Sequence, residues 1–210
     1  MLTEAALFTF VATLFSMMNP FGNLAIVAGM TAGRSDDEVR STAFHCALAV
    51  AITLLIVTWG GSAVLSFFGI SVDALRAAGG LIVLMIGLNM LSNKSGHAHS
   101  ASEAEDASQR DSIAVVPLAI PIVAGPGTMV AVLVAGEQSP DVLSKLEISG
   151  VIVVMSALCG VLFGLAPKIS RALGASGMGV ITRVMGMLLV AIAMGLLADG
   201  LKALLPGLAS

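Results

Sequence analysis

The chain has 210 residues, of which 57% are hydrophobic and only 11% are charged. Soluble globular domains carry about 25% charged residues, so this composition excludes a soluble enzyme, a disordered chain and a nucleic-acid-binding domain. The net charge is −3 and the mean hydropathy is +1.01. Because one membrane-spanning helix needs ~20 apolar residues, we expect an integral membrane protein that crosses the bilayer about six times.

Six apolar stretches predict the transmembrane helices, and the predicted fold class is therefore all-α. Each stretch is too long for a strand of a membrane barrel, and none alternates strictly between apolar and polar residues. The first lacks the basic start and cleavage site of a signal peptide, so we expect it to be retained. The stretches are Ala5–Thr31, Ala43–Phe68, Leu75–Ser92, Ile113–Gly136, Ile148–Ala166 and Val184–Ala198.

A polar stretch divides the chain near its middle. We expect residues 1–92 to form a first three-helix unit, residues 93–111 a polar cytoplasmic linker, and residues 112–210 a second unit of the same membrane domain. The linker holds His97 and His99 near three acidic residues, and His, Asp and Glu are residue types that bind metals. Its Ser- and Ala-rich composition favours a solvated linker, so we predict no metal site and no cofactor.

Basic residues set the expected orientation, because cytoplasmic loops are enriched in Lys and Arg. Seven belong to loops after the first, third and fifth spans or to helix ends there: Arg34, Arg40, Lys94, Arg110, Lys168, Arg171 and Arg183. Three lie on the opposite side: Arg76, Lys145 and Lys202. This bias predicts a multi-pass protein of the inner (plasma) membrane with both termini outside the cytoplasm.

The third and sixth spans are similar in sequence. The third reads RAAGGLIV from Arg76 and the sixth reads RVMGMLLV from Arg183, so that Arg, Gly, Leu and Val match at a constant offset of 107. A unit of three helices ends on the opposite side of the membrane from its start, so its copy must enter upside down. We therefore predict two inverted three-helix repeats, an arrangement found in many transporters.

Helix-breaking residues interrupt the first and fourth spans. The first contains the string NPFGN at residues 19–23, and the fourth contains Pro117, Pro121 and the string GPGT at residues 125–128. Proline removes a backbone donor and glycine permits non-helical angles. Broken backbone at membrane depth is tolerated only where it is buried in protein or lines a cavity. Paired breaks in two halves therefore indicate a transport site, and the alternative is a pair of kinks that only aid packing.

The residues of the two breaks predict the chemistry of this site. We expect each break to divide its span into two half-helices. The second half-helix begins near Asn23 in the first span and near Thr128 in the fourth, and the free N–H groups at such a start bind carboxylates. No predicted span contains a charged residue between its ends, so a substrate without net charge fits best. The predicted substrate-binding residues are Asn19, Pro20, Gly22, Asn23, Gly125, Pro126, Gly127 and Thr128.

Charged and titratable residues near helix ends have two interpretations. Arg76 and Arg183, expected to begin the third and sixth helices, are candidate gating residues, and the alternative is an arginine anchored at the membrane interface. Three residues near the predicted helix ends are candidates for proton coupling, and the favoured interpretation of each is a side chain at a helix end that takes no part in coupling: His45, Asp73 and Asp199.

The strings at residues 19–23, 76–80 and 117–127 resemble those of the MarC family of bacterial and archaeal membrane proteins, and the resemblance covers essentially the whole chain. It implies six helices in two inverted halves and a grouping with the LysE-type exporters. Archaeal relatives called SnatA transport small neutral amino acids such as glycine and alanine, with the substrate between the broken first and fourth helices. Three positions depart from the family pattern: Ala25 for a proline, Asn89 for an aspartate and Gly195 for a glutamine.

The sequence and this resemblance together predict a secondary transporter of small neutral amino acids that works by alternating access, and not an enzyme. The alternatives are an exporter of other small solutes or drugs and a membrane scaffold that transports nothing. The expected partners are the solute and membrane lipid, without nucleic acid, and small-residue helix faces are compatible with an oligomer.

Overall fold

A computed structural model describes residues 2–92, 113–139, 141–205 and 207. The described residues form helical segments and no strand, which confirms the all-α class. The linker predicted at residues 93–111, with its histidines, lies outside the described residues. The helical segments are α1 (Glu4–Met18), α2 (Leu24–Met30), α3 (Asp36–Phe68), α4 (Val72–Leu91), α5 (Ala114–Val123), α6 (Pro126–Gln138), α7 (Val142–Gly164) and α8 (Ala166–Leu204).

Polar side chains cap the starts of three long helices. Ser35 and Glu38 form a reciprocal capping box that begins α3 seven residues before the predicted apolar stretch. The Ser71 hydroxyl caps α4, and the Asp141 carboxylate accepts the Ser144 N–H at 2.8 Å to cap α7. Because such caps satisfy the free N–H groups of a first turn, these helices extend beyond their apolar cores.

The described helices differ from the predicted spans at the first and last positions. α3, α4, α7 and α8 are each long and apolar enough to cross a membrane, and α5 with α6 forms a fifth candidate bent by 64°. α1 has only 15 residues, fewer than the ~20 needed, so the first predicted span crosses only if α1 and α2 act together. The sixth is longer than expected, since α8 begins at Ala166 and is kinked at Gly174 (φ +63°).

α4 and α8 pack antiparallel with their backbones in close contact. A Cβ on Gly80 would lie 2.8 Å from the Leu197 nitrogen, and one on Gly200 would lie 2.7 Å from the Ala77 nitrogen. As residue numbers increase along α4, the numbers of the residues that they contact on α8 decrease, so the two helices run antiparallel. Glycines at these crossings allow the close approach, as at small-residue contacts between membrane helices.

α3 and α7 form a second antiparallel pair. A Cβ on Gly160 of α7 would lie 2.9 Å from Ala47 Cβ of α3, and further along Trp59 Nε1 donates a hydrogen bond to the Ser149 hydroxyl at 3.2 Å. Near the start of α3, Asp36 Oδ2 lies 3.1 Å from Lys168 Nζ. This ion pair holds the start of α3 against the region after α7.

The α4–α8 contact predicts a difference between two glycines of one helix. Gly200→Ala places its Cβ against the Ala77 nitrogen and the Asp73 carbonyl oxygen, whereas a Cβ on Gly195 would have no neighbouring atom within 4 Å. We expect Gly200→Ala to destabilise the protein by about 1–3 kcal/mol through overpacking. Gly195→Ala should be neutral or slightly stabilising, because alanine favours a helix by up to about 1 kcal/mol. Thermal unfolding in detergent compares the two, and equal melting temperatures would contradict the described packing.

Candidate functional site

The first break lies between α1 and α2. Asn19 follows the last residue of α1 as its C-cap and has a left-handed conformation (φ +47°). Its backbone N–H donates a hydrogen bond to the Phe15 carbonyl oxygen at 3.0 Å. Its side-chain Oδ1 accepts the Gly22 N–H at 3.2 Å. A Cβ on Gly22 would overlap the Asn19 amide. The turn therefore requires an Asn-like residue at its start and glycine three residues later, with buried Pro20 between them.

The second break lies between α5 and α6. α5 is irregular: Val116 and Ile120 have extended backbone angles, and each precedes a proline through a cis peptide bond. Gly125 is extended (φ −78°, ψ 175°) and precedes Pro126, the first residue of α6. The second half-helix thus begins two residues earlier than the predicted start near Thr128, because proline is favoured at the first helical position.

The same side-chain hydrogen bond closes both breaks. Asn23 Nδ2 donates to the carbonyl oxygen of Met18 at 3.1 Å, and Thr128 Oγ1 donates to that of Val123 at 2.8 Å. Met18 is the last residue of α1 and Val123 is the last residue of α5. Each bond reaches back five residues, from the start of one half-helix to the end of the other. The final carbonyls, which have no helical partner, are satisfied in this way.

The second half-helices begin without a capping side chain. Neither Asn23 nor Gly125 makes a side-chain capping bond to the helix that follows it. The site is screened from solvent, since Asn19, Asn23 and Thr128 are only 6%, 7% and 2% exposed. Uncapped N–H groups at a helix start carry partial positive charge and favour anionic groups. α6, with 13 residues, provides the longer aligned helix for such a group.

Both breaks lie against α4. A Cβ on Gly127 would overlap the Val83 side chain and lie 3.4 Å from Met17 Sδ. Asn19 Nδ2 donates to Met90 Sδ at 3.4 Å. Val83 and Met90 are two turns apart, about 10 Å along the helix axis. The structure thus brings both breaks to one helix about two turns apart, and it does so without a described contact between Asn19 and Gly127.

The apolar wall of the site was not predicted. Met17 and Val83 belong to a buried cluster with three residues of α6 and α8: Ala131, Leu189 and Ala193. Val83 was identified only as a matching position of the repeat. These contacts join residues far apart in sequence, so helical periodicity gives no signal for them. Sulfur is a weak acceptor, so the Asn19 amide at Met90 keeps the capacity to donate to a stronger one.

The two candidate gating arginines have different environments. Arg76 Nη1 lies 3.1 Å from Asp73 Oδ1 one turn earlier in α4, and the arginine side chain is 15% exposed. Arg183 is exposed. The prediction that Arg183 begins its helix is wrong, because α8 continues without interruption from residue 175. The buried side chain of Met178 holds that earlier part of α8 in the core.

The three candidates for proton coupling differ in position. Asp73 lies in the first turn of α4 and Asp199 lies near the end of α8. The prediction that His45 lies at a helix end is wrong, because α3 begins at Asp36 and places His45 in its third turn. His45 is exposed and its Nδ1 lies 2.8 Å from the Ser41 carbonyl oxygen.

Glu137, which the sequence analysis did not single out, lies in the last turn of α6 and accepts a hydrogen bond from the Ser62 hydroxyl of α3. Within the described part of the chain, no group of three or more His, Cys, Asp or Glu residues could hold a metal ion. The three positions that depart from the family pattern are exposed: Ala25, Asn89 and Gly195.

The bond from Thr128 predicts a stability difference between two substitutions. Thr128→Val keeps the shape of the side chain but leaves the buried Val123 carbonyl without its donor, so we expect a loss of about 1–3 kcal/mol. Thr128→Ser keeps the hydroxyl and should recover most of that loss. Thermal unfolding of the purified variants measures both. Equal stability of the Val and Ser variants would show that the hydroxyl does not hold the break.

Comparisons with known proteins agree with the membrane architecture. Residues 5–205 match the family described as MarC family integral membrane protein. The chain is 36% identical over 202 residues to the UPF0056 membrane protein YhcE of Escherichia coli, covering 96% of this chain and 94% of the relative. It is 35% identical over 202 residues to the UPF0056 membrane protein YvbG of Bacillus subtilis, covering 94% and 95%.

A third relative, a UPF0056 membrane protein of the archaeon Methanocaldococcus jannaschii, is 31% identical over 191 residues, covering 91% of this chain and 93% of the relative. No solved structure matches the chain. The family match spans both breaks and all the described helices except the outermost residues. The chain therefore belongs to the MarC family of integral membrane proteins.

Proposed function

We propose that the protein is a secondary transporter of small neutral amino acids, such as glycine and alanine, in the inner membrane. The observation that carries the proposal is the pair of equivalent hydrogen bonds, Asn23 to Met18 and Thr128 to Val123. Each bond satisfies the last carbonyl of one half-helix. In the first break, oxygens of Asn19 and Phe21 accept the N–H groups that lead into α2, whereas no side chain caps the start of α6. The start of α6 is therefore the part of the two breaks that suits an anionic group.

The substrate carboxylate binds the N–H groups at the start of α6, beside Gly127 and Thr128. Its ammonium group binds carbonyl oxygens of the first break, and the Asn19 amide contributes one more polar contact. Met17 and Val83 form the wall that meets a small apolar side chain. A zwitterion needs no charged residue in the protein, in keeping with the absence of Lys, Arg, Asp and Glu from the described break residues.

The transport cycle that we propose requires an inverted repeat of six spans, in which α1 with α2 and α5 with α6 each form one broken span. The antiparallel pairs support it, because each joins counterparts of the two halves: α3 with α7 and α4 with α8. The ion pair between Asp36 and Lys168 supports it too, since it joins two regions expected on the cytoplasmic side. Residues 1–92 and 112–210 are the two units, and both termini lie outside.

Alternating access places a gate at each end of the site. We assign Arg76 to one gate, where its ion pair with Asp73 holds the first turns of α4. Arg183 is its counterpart in sequence and belongs to the opposite end. The protein carries out transport without a chemical reaction and needs no cofactor.

Counterflow in proteoliposomes tests this function. Liposomes loaded with unlabelled alanine should accumulate labelled glycine and alanine in a saturable manner. Gly127→Val should abolish accumulation, because its side chain overlaps Val83 and fills the start of α6. Gly150→Val is the matched control: Gly150 is exposed on α7 with no atom within 4 Å of a Cβ, so it should transport like the parent. Equal transport by both variants would put the site elsewhere.

The same assay separates the alternatives. An exporter of other solutes or drugs would show no response to glycine or alanine, and a panel of labelled metabolites would then give flux that Gly127→Val removes. A scaffold would give no flux for any solute and would tolerate substitution at Asn19 and Gly125. Repeating the assay with and without a pH gradient shows whether protons are coupled.

A further inference from the structure

A groove runs along the outer side of the α3–α7 pair, away from the two breaks. It encloses about 600 Å³, within the range of ~300–1,000 Å³ usual for small-molecule sites. Its lining is apolar apart from Ser156 and from Arg40, which lies at one end and is the only charged lining residue. The other principal lining residues are Phe44, Leu48, Ala51, Val153 and Gly160.

Small residues create this groove. Ala47 and Gly160 meet at the crossing of the two helices, so no long side chain fills the space beside them. Large apolar side chains stand on the rims instead: Phe44 is 64% exposed and Val161 is 61% exposed. A continuous apolar channel with open sides therefore faces the surroundings of the helix pair.

The groove has about the length of one membrane leaflet. Its α3 side extends from Arg40 to Ala51, eleven residues or about 16 Å of helix. The hydrocarbon core of a bilayer is ~30 Å thick, so one leaflet supplies about half of that. Arg40 lies near the start of α3, beside the ion pair of Asp36 with Lys168, where polar residues meet the membrane surface.

The charged end of the groove is available to an anion. The Arg40 side chain is 66% exposed, and its contact with Asp37 is a long one, with Nη1 3.8 Å from Oδ1. Surface ion pairs of this kind contribute little and leave the guanidinium free to exchange partners. Guanidinium groups bind phosphate through two parallel hydrogen bonds. We propose that the groove binds one acyl chain of an anionic phospholipid of that leaflet, with the lipid phosphate on Arg40.

Tryptophan quenching by brominated lipid tests this proposal independently of transport. The full chain, carrying Trp59→Phe and Phe44→Trp, is placed in mixed liposomes of phosphatidylglycerol and phosphatidylcholine, with one lipid brominated in its acyl chains at a time. We expect brominated phosphatidylglycerol to quench with about fivefold preference, because one basic side chain near an anionic surface contributes about 1 kcal/mol. Equal quenching by both lipids would overturn the proposal.

Three variants distinguish the groove from general surface effects. Arg40→Gln should remove the preference, whereas Arg171→Gln, an equal change in charge at the same end of the molecule, should keep it. Ala157→Leu should weaken quenching by both lipids by filling the groove. If Arg171→Gln removes the preference as fully as Arg40→Gln, surface charge alone explains it and the proposal fails.

Ser156 provides a test of what occupies the inner end of the groove. Its buried hydroxyl is the one buried side-chain polar atom without a hydrogen-bond partner among the described residues. An acyl chain offers it no partner, so Ser156→Ala should leave the lipid preference unchanged. A loss of preference in Ser156→Ala would mean that the occupant has a polar group there and is not an acyl chain. Weak quenching by both lipids, together with disulfide-linked dimers of a separate Phe44→Cys variant, would mean that a second copy covers the groove.

Discussion

A carbonyl that loses its helical partner in an apolar environment must find another donor, and the two breaks of this protein depend on that constraint. An unsatisfied backbone group in a bilayer costs several kcal/mol. Asn23 and Thr128 meet the need by donating to the last carbonyls of α1 and α5. The start of α6 has no capping side chain, because its N-cap is Gly125. The second break therefore combines a satisfied carbonyl at the end of α5 with N–H groups that no side chain caps at the start of α6.

The rest of the architecture supports the breaks from two sides. Glycine contacts between α4 and α8 bring two backbones together, and α4 presents Val83 and Met90 to the two breaks. The α3–α7 pair is joined by fewer close backbone contacts and leaves a groove on its outer side. We interpret the closely packed α4–α8 pair as the rigid side of the site. The outer pair is the part of the structure with room to adjust to lipid and to conformational change.

Much of this arrangement could be predicted because it depends on local chemistry. Proline and glycine positions located both breaks, and the repeat of Arg76 at Arg183 identified the third and sixth spans as counterparts. That these counterparts pack against each other, as α4 and α8, comes from the structure. The predicted start of α6 is two residues late, since the preference of proline for a first helical position outweighs the polar side chain at Thr128.

The features that could not be predicted depend on contacts between distant residues. Nothing in the neighbourhood of Met90 indicates that its sulfur faces Asn19, 71 positions away. The early start of α8, which makes Arg183 an interior residue of that helix, depends on the burial of Met178 against other helices. The groove arises from small residues on two separate helices, and its charged end becomes visible only when they are packed together.

Alternating access, as we propose it, requires the buried second break to open in turn to the two sides of the membrane. Ala124, next to Gly125, is fully buried in the described conformation. The direct measurement is the labelling of Ala124→Cys by a membrane-impermeant thiol reagent, applied to either side of proteoliposomes, with Cys46 and Cys159 replaced by alanine. Alternating access predicts labelling from both sides and slower labelling in the presence of alanine. Labelling from neither side, or from one side without any effect of alanine, would contradict it.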